Sequence, residues 1–348
     1  MAYSSIVKPS VYFNTLLYAG NDGTGRSITG VGFQPDFVWI KDRSNAINHS
    51  LFDAVRGATK EINSNTTTAE ETEADMLTAF GTDGFTLNSA GGVNGNNNNY
   101  ASWNWKANGQ GSSNTAGSIN TTYTSVNTTA GFSIVSYTGT GSSGATIGHG
   151  LGVAPNMIIA RRRNGVEDWA VYHKTLGATK YLHINNDAAE QTNSNRWNNT
   201  TPSATLITLG NHASINYNGG THIAYCFAEK TGYSKFGSYT GNGNADGPFV
   251  YTGFKPAFVI TKKTSGTSSW DMHDTKRDTF NVATKHLLAE DTGAEGSTVV
   301  LDILSNGFKF RTSNGDRNAS GATYIYMAFA EEPLVANSGT DGVPATAR

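Results

Sequence analysis

Four landmarks recur in fixed order three times along this chain, and that internal repeat limits the fold more than any other feature. The first is a tyrosine entering a glycine turn, at Tyr18-Ala-Gly20, Tyr137-Thr-Gly139 and Tyr239-Thr-Gly241. The second is a Gly-x-x-Pro turn leading into an apolar run: Pro35 before Phe37–Ile40, Pro155 before Met157–Ala160, and Pro256 before Phe258–Ile260. Ala-Thr-Lys follows, ending at Lys60, Lys180 and Lys285, and a glutamate stands ten residues beyond each lysine, at Glu70, Glu190 and Glu295. An alternating stretch closes each copy, at Tyr100–Ala107, His222–Glu229 and Tyr324–Glu331. One copy is about 100 residues, the size of a small domain.

The 348 residues therefore divide into an N-terminal arm (1–11), three β units (12–107, 130–230 and 235–331), a linker (108–129) and a C-terminal tail (332–348). The linker is rich in Gly, Ser, Asn and Thr and reads as flexible. The second and third units adjoin with almost no linker and are expected to pack rigidly. The two ends read as extended arms that order against a partner.

Composition points to short strands and busy turns. Charged residues are 15% and apolar residues 37%, and the space is filled by 43 Thr, 40 Gly and 35 Asn. Threonine suits strands, while glycine and asparagine supply the positive-φ positions of tight turns. In the closing stretches large side chains alternate with small ones, as in Trp103 and Trp105 around Asn104, which predicts a strand with one core face. The apolar runs after the prolines are apolar on both faces and belong in the middle of a sheet. Only Thr68–Phe80 has a passable helical pattern. The fold class is all-β: three tandem, internally homologous β-sandwich units of a jelly-roll-like kind, with closure into barrels the second choice.

Net charge is −2 with no long run of either sign, which argues against a nucleic-acid surface or a polybasic membrane patch. No apolar run approaches the length that spans a bilayer, and the start lacks a signal-peptide pattern. The single cysteine, Cys226, excludes an internal disulfide and a multi-cysteine zinc site. The string Gly139-Thr-Gly141-Ser-Ser-Gly144 spells a dinucleotide fingerprint, but the residues after it cannot open the helix that such a site needs. No cofactor is expected.

The repeated Lys60/Glu70, Lys180/Glu190 and Lys285/Glu295 pairs are either three ligand sites or three clamps, and retention in every copy favours a structural role. The basic residues leaving the central strands (Lys41 and Arg43, Arg161 and Arg163, Lys262 and Lys263) are alternative partners for the glutamates. His173 and the Asp271–Asp278 segment hint at metal but match no ligand spacing, and the segment reads as a solvated loop. Trp169, Trp197 and Trp270 fall in or near loops, where they are either core residues or exposed platforms for stacking on a sugar. Scattered carboxylates and the absence of a nucleophile–base pattern argue against an enzyme.

The strings Gly-Phe-Gln-Pro-Asp-Phe-Val-Trp-Ile-Lys (32–41), Val-Arg-Gly-Ala-Thr-Lys (55–60), Thr-Asp-Gly-Phe-Thr-Leu (82–87), Ile-Gly-His-Gly-Leu-Gly-Val-Ala-Pro (147–155) and Tyr-Ile-Tyr-Met-Ala-Phe-Ala-Glu (324–331) resemble a repeat family of tailed-bacteriophage virion proteins. Its members occur in marine and cyanobacterial phages, often as tail-fibre-like structural proteins. The resemblance spans about residues 12–331 and carries no catalytic or binding residue. It implies a virion protein assembled in the host cytoplasm, in contact with other virion proteins. A tail fibre or tail-tip adhesin on host-surface glycans comes first, as a trimer by analogy with phage fibres. A capsid decoration or head-fibre protein is the alternative, and a polysaccharide depolymerase the third reading.

Overall fold

Each apolar run after a Gly-x-x-Pro turn becomes the central strand of a sheet, buried on both faces. The structure, a computed structural model, describes residues 4–333. The first segment holds β1 (Phe13–Ala19), β2 (Arg26–Thr29), β3 (Phe37–Asp42), β4 (Ser50–Asp53), β5 (Gly57–Ile62), β6 (Glu71–Thr72), β7 (Leu77–Gly81), β8 (Gly84–Leu87) and β9 (Asn99–Trp105). The second holds β10 (Tyr123–Asn127), β11 (Phe132–Thr138), β12 (Ala145–Gly148), β13 (Met157–Arg162), β14 (Ala170–His173), β15 (Lys180–Tyr181), β16 (Gln191–Thr192), β17 (Leu206–Leu209) and β18 (Thr221–Phe227). The third holds β19 (Ser234–Thr240), β20 (Phe249–Tyr251), β21 (Phe254–Lys263), β22 (Trp270–Asp274), β23 (Ala283–Leu288), β24 (Gly296–Leu304), β25 (Gly307–Phe310) and β26 (Thr323–Pro333).

The protein is nearly all β, in several sheets. One pairing order recurs: β1-β9-β3-β4, β11-β18-β13-β14 and β19-β26-β21-β22, antiparallel throughout. In each segment the opening strand pairs with the closing one, and the closing strand pairs with the central one. Outside these inner sheets lie β2-β8-β7 and β12-β17, while in the third segment one eight-stranded sheet bends round to β24-β25-β20.

The three inner sheets turn one face toward a single shared core. At its centre are Trp105, Phe227 and Phe329, the same position of each closing strand, with ring centroids 6.3, 6.0 and 5.7 Å apart. The three rings thus meet at near-equal distances within one chain. The other face of each inner sheet packs on its own outer layer, in three separate clusters. The closing strands therefore have two core faces, not the expected one. Large side chains face the shared core, and small ones such as Asn104, Ala224, Cys226 and Ala328 are buried in the tighter space behind.

The landmarks have physical causes. Tyr18, Tyr137 and Tyr239 each donate a phenol hydrogen bond to a carbonyl of a single helical turn, Val93, Ile215 and Arg317, at 2.8, 2.7 and 2.9 Å. Each ring stacks on the closing strand, on Tyr100, His222 or Tyr324. At Gly20, Gly139 and Gly241 a Cβ would lie 2.0, 2.5 and 2.2 Å from a carbonyl oxygen, so only glycine fits.

Several expectations are corrected. The 108–129 stretch is not a free linker: Ser112 and Thr124 exchange backbone hydrogen bonds, Ile119 enters the second outer core, and residues 123–127 form β10. Its Ser, Asn and Thr side chains bond local backbone, as Asn114 and Thr121 do. Of the N-terminal arm, Ser5 bonds the Thr231 carbonyl and Ile6 is buried in the shared core, so it docks on this chain. Residues 1–3 of that arm and 334–348 of the tail lie outside the described residues. Pro35 and Pro155 precede their strands, but Pro256 lies inside β21 at a register shift that spares the ladder. The Thr68–Phe80 pattern resolves into β6 and most of β7.

Candidate functional site

The residues singled out by the repeat meet at three junctions between segments. The backbone N–H groups of Glu70, Glu190 and Glu295 bond the carbonyls of Arg163, Thr264 and Arg43, one position past each central strand, at 2.7, 3.0 and 2.9 Å. The first segment thus holds the second, the second the third, and the third the first. At two junctions the glutamate also takes a two-pronged guanidinium, Arg163 on Glu70 and Arg43 on Glu295, with all four N–O distances 2.8 Å. Threonine replaces the arginine at the remaining junction, and Glu190 pairs with Lys180 instead. Lys60 donates to the Thr72 hydroxyl and not to Glu70, and Glu295 is taken by Arg43 and Arg277, so the other two expected Lys/Glu pairs do not form.

One layer deeper, ring nitrogens cross the same junctions. Trp169 Nε1 donates to Asn63, Trp270 Nε1 to His183, and His49 Nε2 lies 2.9 Å from the Leu288 carbonyl. Buried cations reinforce them: Arg161 donates to the carbonyls of Asn63, Thr66 and Thr68, and Lys262 to that of Asp187. Burial lowers Lys262 and Lys41 to about 8. Burial also raises the Glu70 carboxyl, but the Arg163 and Arg56 guanidiniums outweigh it and hold it below its ordinary value.

A third set ties closing strands to neighbours. The Tyr225 hydroxyl donates to Asp53 at 2.8 Å and Trp103 Nε1 to Asp274 at 3.1 Å, and these carboxylates are held by Arg56 and Arg277 of their own segments. At the third corner the donor position is Met327, which has no hydrogen to give. There the carboxylate is replaced by His173 and the arginine by Leu176, so no buried charge is stranded.

Trp169, Trp197 and Trp270 are all buried, which removes them as exposed sugar platforms. Their loop positions misled because those loops are the junctions: Trp169 and Trp270 cross between segments, and Trp197 packs edge-on against Tyr172 in the second outer core. The Asp271–Asp278 segment is no solvated loop. Residues 270–274 are a buried strand, with Asp271 on Arg317 and Asp274 on Arg277. No cluster of three or more metal-ligating side chains occurs among the described residues. Cys226 is buried mid-strand, and burial pushes its thiol up to about 12, away from nucleophilic use. An open depression of about 400 Å³ is lined by Ser112–Ala116, Thr124, Val126 and Gly150, with no titratable group.

The exposed aromatic residues among those described are others: Tyr217, Phe249, Tyr251 and Phe280, the last standing just before β23. Tyr217 carries the Arg162 guanidinium 3.8 Å above its ring. Phe249 and Tyr251 lie on β20 with relative exposures of 46% and 57%, on either side of buried Val250. The register places Phe249 beside Lys309 and Tyr251 beside Gly307. The sequence signal was available, since Val250 aligns with Ile28 and Ile147, whose flanks are Ser27 and Thr29, and Thr146 and Gly148.

The fold and surface define an all-β protein whose buried charges serve internal junctions and whose unusual side chains lie on an outer sheet. The chain belongs to the family described as Domain of unknown function (DUF7483), which it matches over residues 8–333. No curated protein and no solved structure matches it.

Proposed function

We propose that this chain is a structural protein of a bacteriophage virion, acting as a tail-fibre or tail-tip adhesin on host-surface glycans. In this reading it consists of three tandem, internally homologous β-sandwich units, jelly-roll-like, each an inner sheet with an outer layer. The observation that carries the proposal is how the polar core is spent. Arg163–Glu70, Arg43–Glu295, Tyr225–Asp53 and Trp103–Asp274 are committed to holding three sheets together, as suits a scaffold that presents surfaces. The resemblance of the quoted sequence strings to a repeat family of phage structural proteins supports the same reading. The three junctions are filled within one chain, so a homotrimer would have to use other faces.

Immunogold electron microscopy of intact particles tests the proposal. Gold at the tail is expected. Gold over the head replaces the adhesin with capsid decoration, and no gold on any particle overturns the virion assignment. Release of reducing ends from a host polysaccharide would instead establish a depolymerase.

A further inference from the structure

We propose that the outer sheet of the third segment, around Phe249 and Tyr251, is the carbohydrate-contact surface of this protein, an inference that rests on the adhesin reading. The fold does not require aromatic residues there. The strands β2, β12 and β20 occupy one structural position, each placing one branched aliphatic side chain in its outer core: Ile28, Ile147 and Val250. Their cross-strand partners are likewise equivalent, Phe85, Ile207 and Phe308. The flanking positions are small or hydroxylated in the first two segments. In the third they are two large rings left roughly half in water.

Residues two apart on a strand share one face, about 7 Å apart. Gly307 lies opposite Tyr251, where a Cβ would stand 2.1 Å from the Val250 carbonyl oxygen and 3.0 Å from a Phe249 ring carbon. The absence of a side chain lets the Phe249 ring lie over the backbone. Polar groups flank it: Lys309 Nζ is 2.6 Å from Asp246, and Arg311 Nε is 3.5 Å from Asp302. Rings that cover the apolar face of a pyranose, beside charged donors and acceptors for its hydroxyls, are a chemistry suited to sugar.

Area separates this occupant from a protein. Two half-exposed rings offer roughly 200 Å² of aromatic surface. A stable protein interface needs about 800 Å² on each side. The patch suits one or two sugar rings.

The test is binding of the full chain to an array of immobilised bacterial surface oligosaccharides, comparing wild type with F249S/Y251T. That variant carries the residues the first segment has at these positions, so the strand tolerates it, and an unchanged melting temperature confirms the fold. The expected result is wild-type binding that the variant weakens by roughly tenfold or more. Equal binding by both overturns this site and leaves the adhesin reading standing. No binding by wild type overturns the site and the glycan reading together, while tail gold would still place the chain on the fibre. A dimer in sedimentation that F249S/Y251T dissolves overturns the site in favour of self-contact.

Discussion

Arg43 and Glu295 are 252 residues apart in the chain and meet in a two-pronged ion pair, both N–O distances 2.8 Å. This pair closes the ring between the first and third segments, which no peptide joins directly. Arg163–Glu70 closes the junction whose covalent connection is the long 108–122 stretch. The junction without an arginine, Thr264 with Glu190, is the one whose segments are joined by a few residues at 228–233. A short connection raises the effective concentration of the two faces, so this junction has the least need of an ion pair.

Breaking the ring where it is not covalently joined should therefore cost most. E295A is expected to lose about 2–3 kcal/mol in urea unfolding, because it leaves Arg43 without a partner in a mostly buried site. E190A, whose Lys180 partner is over a third exposed, should lose under about 1 kcal/mol. Equal losses would refute the ranking of the junctions.

Installing the missing arginine should stabilise the third junction. T264R places a guanidinium where Arg43 and Arg163 stand and offers Glu190 a two-pronged partner. A gain of about 0.5–1.5 kcal/mol is expected, visible as a higher melting temperature. No gain would mean that Lys180 keeps Glu190 at no disadvantage.

The corner built from His173, Leu176 and Met327 should respond as a unit. H173D alone buries a carboxylate with no cross-segment side-chain donor and no arginine, and about 3 kcal/mol of stability should be lost. H173D/L176R/M327Y recreates the Asp53–Arg56–Tyr225 set and should recover most of that loss. Additive losses across the three substitutions would show that the sets are not interchangeable.

Stability should fall as pH drops below about 6.5. Burial lowers His49 to about 3, and His173 and His222 to about 4. In the unfolded chain these groups titrate near 6.5. Between those values the unfolded state binds more protons, so stability is fully present above pH 6.5 and is lost as pH falls toward 4. The slope is up to about 1.4 kcal/mol per pH unit for each histidine. Below this window Glu70, held under its ordinary value, adds a further loss as it protonates. Thermal melts from pH 7.5 to 4 test this, and a flat profile would contradict the burial of these rings.

The strand framework was legible in the sequence, because period-two alternation and Gly-x-x-Pro punctuation are local. The central strands and the Tyr-x-Gly turns lie where those signals put them. What local pattern cannot carry is the partner across a junction. The choice of Arg163 over Lys60 for Glu70 depends on which segment lies beside which, and so does the burial of Trp169 and Trp270. The second core face of the closing strands was hidden for a related reason. Ser102 and Asn104 fall on the face that period-two alternation leaves outside the core until an outer layer is known to press on them.

The triangle of Trp105, Phe227 and Phe329 has a consequence for synthesis. The chain leaves the ribosome from its N-terminus, and Phe329 is nearly the last described residue to emerge. Until then two sides of the arch stand without their keystone, with Trp105 and Phe227 facing a gap. Completion waits for the final strand, which must pair with β19 and β21 and close against the first segment at once. A chain ending before β26 would expose an aromatic cavity, an invitation to aggregate or to be degraded.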